Sequence, residues 1–149
     1  MKLKRISKTS TLEFFTASTE TVLERPFIEE GVKAGFPSPA EDFTEVSIDL
    51  NLELLKNPSS TFFCRVSGDS MHDIGISDGD LLIVDKSLEP KNDKIAVCFI
   101  DGEFTLKKIK LDKDCCWLVP ANKNYKPIKV TDENEFIVWG IVTYAIKSY

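Results

Sequence analysis

Histidine is almost missing from this chain: there is one, His72, in 149 residues. A single imidazole excludes a histidine-built metal site. It also argues against a Ser-His-Asp hydrolase, because His72 stands two residues from the turn serine Ser70. On a short helix, positions i and i+2 face different ways, so His72 reads as a surface residue. Cysteine is sparse, with Cys64, Cys98, Cys115 and Cys116 forming neither a CxxC redox pair nor zinc-ligand spacing. Cys64 and Cys98 fall in apolar runs, where buried free thiols are expected. Positive charge is short too: 19 Lys and Arg against 24 Asp and Glu give a net charge of −5. The lysines are scattered rather than striped, which argues against strong direct binding to DNA. It leaves open a partner that itself binds DNA. No segment approaches the roughly 18 consecutive apolar residues of a membrane span, and no apolar stretch follows the basic start Met1–Lys8. The expectation is a cytoplasmic, reduced protein with no membrane partner.

What remains is ordinary globular material. Hydrophobic residues make up 42 % of the chain, ample for one core, and the length suits one domain with a short appendage. Up to about residue 33 the apolar positions, among them Leu12, Phe14, Phe15, Val22 and Phe27, are too sparse to specify helix or sheet. An extended, mobile arm with apolar anchor points is expected there. Gly31–Ala40 carries two glycines and two prolines, which forbid helix and mark an exposed boundary. Ile48–Pro58 reads as a short helix, with Asp49 or Asn51 as N-cap, Leu50, Leu54 and Leu55 as buried side and Pro58 as stop.

From Thr61 onward every signal is β. Thr61–Val66, Leu81–Val84 and Lys94–Ile100 are apolar runs of strand length. Asp101-Gly102 is a two-residue hairpin signal leading into Glu103–Leu106. Trp117–Val119, Pro127–Val130 and Phe136–Tyr144 complete about seven short strands. The fold class is therefore mainly β, a compact folded-sheet or barrel-like domain without βαβ alternation.

The stretch that carries chemistry is Val66-Ser67-Gly68-Asp69-Ser70-Met71, where a strand ends in a glycine and then presents a serine. Such a turn can push a hydroxyl out of the sheet, and it is also common turn composition. Both readings stand on this segment alone. A serine nucleophile needs a base, and with histidine excluded the remaining choice is a lysine, as in Ser-Lys dyads. A lysine can serve near neutrality only if burial disfavours its charged form. Lys107 and Lys108 lie inside an otherwise apolar strand. With period two, Thr105, Lys107 and Ile109 share one face and Phe104, Leu106 and Lys108 the other. Only one lysine can face a given site, and both could equally be surface lysines on an edge strand.

Val66–Met71, Gly75–Asp85 and Asp101–Lys108, together with Gly35–Ala40 and Ile48–Asn51, resemble the UmuD proteins. These are self-cleaving accessory subunits of the error-prone DNA polymerase V, and they share a peptidase fold with the LexA repressor. The resemblance covers Gly35 to the C-terminus. It implies a cleavable arm at 1–34 and a Ser-Lys peptidase domain at 35–149. Ser70 matches the nucleophile, Lys107 the general base, and the N–H groups of Asp69 and Ser70 the oxyanion hole. The cleaved bond would be Ala34-Gly35, where many relatives have Cys before the glycine and LexA proteins commonly Ala. The implied partners are a second copy, a RecA filament on single-stranded DNA, a UmuC-like Y-family polymerase for lesion bypass in the SOS response, and the sliding clamp. No cofactor or metal is implied. The arm diverges from the family pattern and is longer. The competing readings are a LexA-like or phage-type repressor fragment, for which residues 1–34 are too short to hold a helix-turn-helix, and a catalytically dead interaction module. A signal peptidase would need a membrane anchor.

Overall fold

The computed structural model describes residues 3–8, 12–17, 19–20, 22, 24–28 and 45–149. Eleven strands are described: β1 Leu3–Lys8, β2 Leu12–Ala17, β3 Glu24–Ile28, β4 Glu45–Asp49, β5 Thr61–Val66, β6 Leu81–Asp85, β7 Ile95–Ile100, β8 Glu103–Leu111, β9 Cys116–Val119, β10 Ile128–Val130 and β11 Phe136–Ile146. Nine form one antiparallel sheet in the order β1-β2-β5-β6-β11-β7-β8-β9-β10, and β3 pairs with β4 apart from it. The mainly β, folded-sheet class expected from the sequence is what the structure has.

Among the described residues one α-helix, α1, spans Leu50–Leu54, capped by the Asp49 carboxylate, which accepts from the Asn51 N–H at 2.9 Å. Leu55, just past its end, is buried while Leu50 and Leu54 are half-buried. Ile48 and Asp49 belong to β4 rather than to the helix. The β7–β8 hairpin turns on Asp101 and Gly102, both at positive φ (49° and 88°), the geometry that an Asp-Gly pair accepts.

One expectation needs correcting. The N-terminal residues are not without sheet: β2 pairs along β5, Leu12 opposite Val66 and Thr16 opposite Phe62. Leu12 and Phe14 lie two apart, so both point to one side, and both are buried in the main core beside Cys64, Met71 and Leu106. A few apolar residues suffice because the exposed edge of β5 supplies the backbone partners that a lone strand lacks. β11 lies inside the sheet, between β6 and β7. Its first half, Phe136–Ile141, pairs with β7, and its second half, Ile141–Ile146, pairs with β6. Register shifts at Val138/Gly140 and Val142/Tyr144 bend the strand as it changes partner. Gly140 is required at the bend, since a Cβ there would sit 2.6 Å from Val84 Cγ1.

β11 thereby joins two half-sheets: one apolar cluster draws side chains from both, and a second is confined to the β7–β10 side and β11. One cluster gathers Leu12, Phe14, Met71, Leu82 and Leu106, and the other Ala96, Cys98, Ile109, Leu118 and Ile141. An aromatic band crosses the first, with Phe14, Phe62 and Phe104 packed around Trp139 at ring separations of 4.8–6.1 Å. Beyond β11, Lys147 reaches back to the turn before β6. Its Nζ donates to Asp80 Oδ2 at 2.7 Å and to Ser77 Oγ at 3.2 Å. Asp80, only 5 % exposed, also accepts from the Ser77 N–H at 2.8 Å. Among the described residues no helix is long and apolar enough to cross a membrane.

Candidate active site

Ser70 and Lys107 come from opposite half-sheets. Ser70 follows β5 on a turn shaped by Gly68, whose φ of +99° few residues other than glycine adopt. The Gly68 N–H donates to Asp78 Oδ1 at 2.8 Å, fixing the turn against the loop before β6. A 3₁₀ turn, His72–Ile74, carries the chain onward. Lys107 lies in β8 opposite Ala96, whose small side chain leaves room beside the lysine stem.

The two meet at Lys107 Nζ, which is 3.3 Å from Ser70 Oγ. The same nitrogen donates to Thr105 Oγ1 at 2.7 Å and to the Leu106 carbonyl at 3.0 Å. Thr105 and Lys107 do share a face, as alternation requires. Lys108 does not join them: it faces a separate groove with Lys110 and Trp117. Lys107 is 7 % exposed, and among the described residues no carboxylate lies within ion-pair distance of it. Burial lowers its pKa from the ordinary lysine range. An ionised Cys98 would oppose this, but burial pushes that thiol up to about 12, so near neutrality it carries no charge.

A cleft of about 230 Å³ opens over the pair, with Leu12, Val66, Met71 and Leu106 as apolar walls and Tyr125 on its side. A larger groove, about 590 Å³ beside Asp85 and Thr143, includes neither Ser70 nor Lys107. His72 is exposed, as expected. Ala34 and Gly35 lie outside the described residues.

Sequence reasoning missed the groups that hold this arrangement. Thr105 fixes the lysine head, and its only sequence signal is its place two residues before Lys107. The β9–β10 loop grips the nucleophile turn from the far side. The Ala121 N–H donates to the Ser70 carbonyl (2.9 Å) and the Asp73 N–H to the Ala121 carbonyl (2.7 Å). Asn122 Nδ2 donates to the Asp69 carbonyl (2.8 Å) and Tyr125 Oη to the Asp69 carboxylate (2.7 Å). These contacts join residues about fifty positions apart, and no local pattern announces them.

Residues 26–143 match the family model described as Peptidase S24-like. The chain belongs to the Peptidase S24-like family. Among its relatives, this S24-like chain is 38 % identical to Protein MucA of Salmonella typhimurium over 134 residues, 89 % of this chain and 91 % of that one. It is 42 % identical to Protein SamA of Salmonella typhimurium over 118 residues, 79 % and 81 % of the two chains. With Protein ImpA of Escherichia coli it shares 39 % over 122 residues, 82 % and 83 %. The matches bear out the resemblance to UmuD-type proteins and make this a member of a serine-type peptidase family.

Proposed function

We propose that this chain is a UmuD-type SOS mutagenesis protein that cuts its own Ala34-Gly35 bond with a Ser70–Lys107 dyad. The observation that carries the proposal is the 3.3 Å approach to Ser70 Oγ of a buried lysine that has no carboxylate partner among the described residues. As an ammonium, Lys107 has three N–H groups for three oxygens. After losing one proton it keeps two, for Thr105 Oγ1 and the Leu106 carbonyl, and its lone pair faces the serine.

The neutral amine then takes the Ser70 hydroxyl proton as Oγ bonds to the Ala34 carbonyl carbon. The negative charge moves to the carbonyl oxygen, where the N–H groups of Asp69 and Ser70 are the proposed donors. Lys107 returns the proton to the Gly35 nitrogen as the C–N bond breaks, leaving an ester on Ser70. Water, deprotonated by the same amine, hydrolyses that ester.

The wider reading rests on the family resemblance. A RecA filament on single-stranded DNA stimulates the cut by favouring the docked arm and supplies no catalytic group. The shortened chain, a homodimer, then serves a UmuC-like Y-family polymerase and touches the sliding clamp.

The test is intact mass of the purified chain held between pH 7 and 10. The expected product lacks residues 1–34, forms faster as pH rises, and is absent in Ser70→Ala. Gly35→Trp blocks it. A cut elsewhere, or a flat pH profile, would overturn the proposal.

A further inference from the structure

We propose that Asn122, in the loop between β9 and β10, is a positioning residue that aims the Ser70 N–H for stabilising the reaction's oxyanion. This rests on the self-cleavage reading above and adds a residue to it.

The physical basis is the rigidity of one peptide unit. The Asp69 carbonyl and the Ser70 N–H belong to the same unit, and the described chain has no cis peptide bond. In a planar trans peptide the C=O and N–H point in opposite directions. Whatever fixes the Asp69 carbonyl therefore fixes the Ser70 N–H. Two donors fix that carbonyl: Asn122 Nδ2 at 2.8 Å and the His72 N–H at 3.1 Å. The His72 contact is local and follows from the 3₁₀ turn. The Asn122 contact comes from another part of the chain and ties the unit to the rigid sheet.

Three further bonds show that the loop is built to hold this turn. Ala121 N–H to the Ser70 carbonyl pins the next peptide unit, and Ala121 also accepts from the Asp73 N–H. Tyr125 Oη holds the Asp69 carboxylate. Among the described residues no protein group accepts the N–H of Asp69 or Ser70, so both remain open to a substrate oxygen. A carbonyl that accepts hydrogen bonds also polarises its peptide and strengthens the N–H as a donor.

Asn122 is itself held so that its amide nitrogen faces Asp69. Its Oδ1 accepts from the Asn124 N–H at 2.9 Å, which leaves the NH₂ group for the Asp69 carbonyl. This division of labour supplies the test. Asn122→Asp keeps the acceptor for Asn124 and replaces only the donor with an oxygen. Asn122→Ala removes the donor without adding charge.

The experiment follows the self-cleavage rate of the full chain from pH 7 to 10.5 by intact mass, beside thermal melting. In both variants the plateau rate should fall about ten- to a hundredfold, the range for a misaimed catalytic donor. The Asn122→Ala midpoint on the pH axis should stay where it is in the wild type, because the Lys107 surroundings are untouched. Its melting temperature should move by only a few degrees. Wild-type cleavage with undiminished Asn122→Ala cleavage would overturn this inference and leave the dyad standing. A loss of rate accompanied by a displaced midpoint would also overturn it, since the change would then act through Lys107. Absence of cleavage in the wild type would instead overturn the self-cleavage reading itself.

Discussion

Two lysines in this molecule each reach a serine hydroxyl, and only one of them is equipped as a base. Lys107 Nζ lies 3.3 Å from Ser70 Oγ, and Lys147 Nζ lies 3.2 Å from Ser77 Oγ. The geometry of the pair is the same. The difference is the third group: Lys147 has the Asp80 carboxylate at 2.7 Å, while among the described residues Lys107 has, beside Ser70, the neutral oxygens of Thr105 and Leu106. A carboxylate favours the charged amine, and burial among neutral groups disfavours it. On the acid's side, burial pushes the Asp80 pKa up, but the hydrogen bonds from Lys147 and the Ser77 N–H outweigh it and leave it lowered. A Ser-Lys contact is thus not sufficient for chemistry. The missing counter-charge is what distinguishes the proposed dyad from a structural latch.

The largest effect should come from deleting the pairs in turn. Lys107→Ala should slow self-cleavage as severely as Ser70→Ala, by at least about a thousandfold, while Ser77→Ala and Lys108→Ala stay within about twofold of wild type. Equal losses from Lys107→Ala and Lys108→Ala in a timed cleavage assay would erase the distinction.

The comparison can then be inverted by giving Lys107 a counter-charge. In Thr105→Asp a carboxylate stands two residues along the same face, as Asp80 stands beside Lys147. The nearby carboxylate favours the charged amine, so the lysine pKa rises and less neutral amine is present at a given pH. Cleavage near neutral pH should fall and recover as pH rises. A variant equally slow at every pH would show damage of another kind.

The latch should show itself in stability rather than in chemistry. Lys147→Met leaves the buried Asp80 carboxylate without its cation and should cost about 2 kcal/mol in urea unfolding at pH 7. The lowered Asp80 pKa contributes stability that is present above the ordinary carboxylate range and lost as pH falls through the folded-state value. The gap between variant and wild type should therefore narrow toward pH 3.

The smallest effect has the opposite sign. Because the folded-state pKa of Lys107 is depressed, the unfolded chain binds more protons between that value and about 10.4. Wild-type stability should rise with pH across that window. Lys107→Met should remove the slope and gain about 1 kcal/mol at pH 7. A destabilised Lys107→Met would mean that the amine's hydrogen bonds outweigh its burial.

Much of this was legible in the sequence because it is local. The Asp101-Gly102 hairpin, the strand lengths after Thr61 and the opposition of Lys107 to Lys108 follow from turn chemistry and period two. The short helix was legible through its Asp49 cap, although Ile48–Pro58 opens two residues before the helix does. What could not be read was pairing at a distance. Nothing in Leu12–Ala17 says that β5 will offer it an edge. Nothing in Phe136–Ile146 says that the strand will change partner at Ile141. The supports of the site share that character: Thr105 is near Lys107 in sequence, but Asn122 and Tyr125 reach Asp69 only once the sheet has closed.

The change of partner along β11 also sets a schedule. Synthesis makes Ser70 and its turn first and Lys107 some time later, yet the half-sheets carrying them share β11, which follows both in the chain. A nascent chain that already contains both side chains still lacks the strand that joins their supports. The serine and the lysine can be assembled in their final register only once β11 has been made as well.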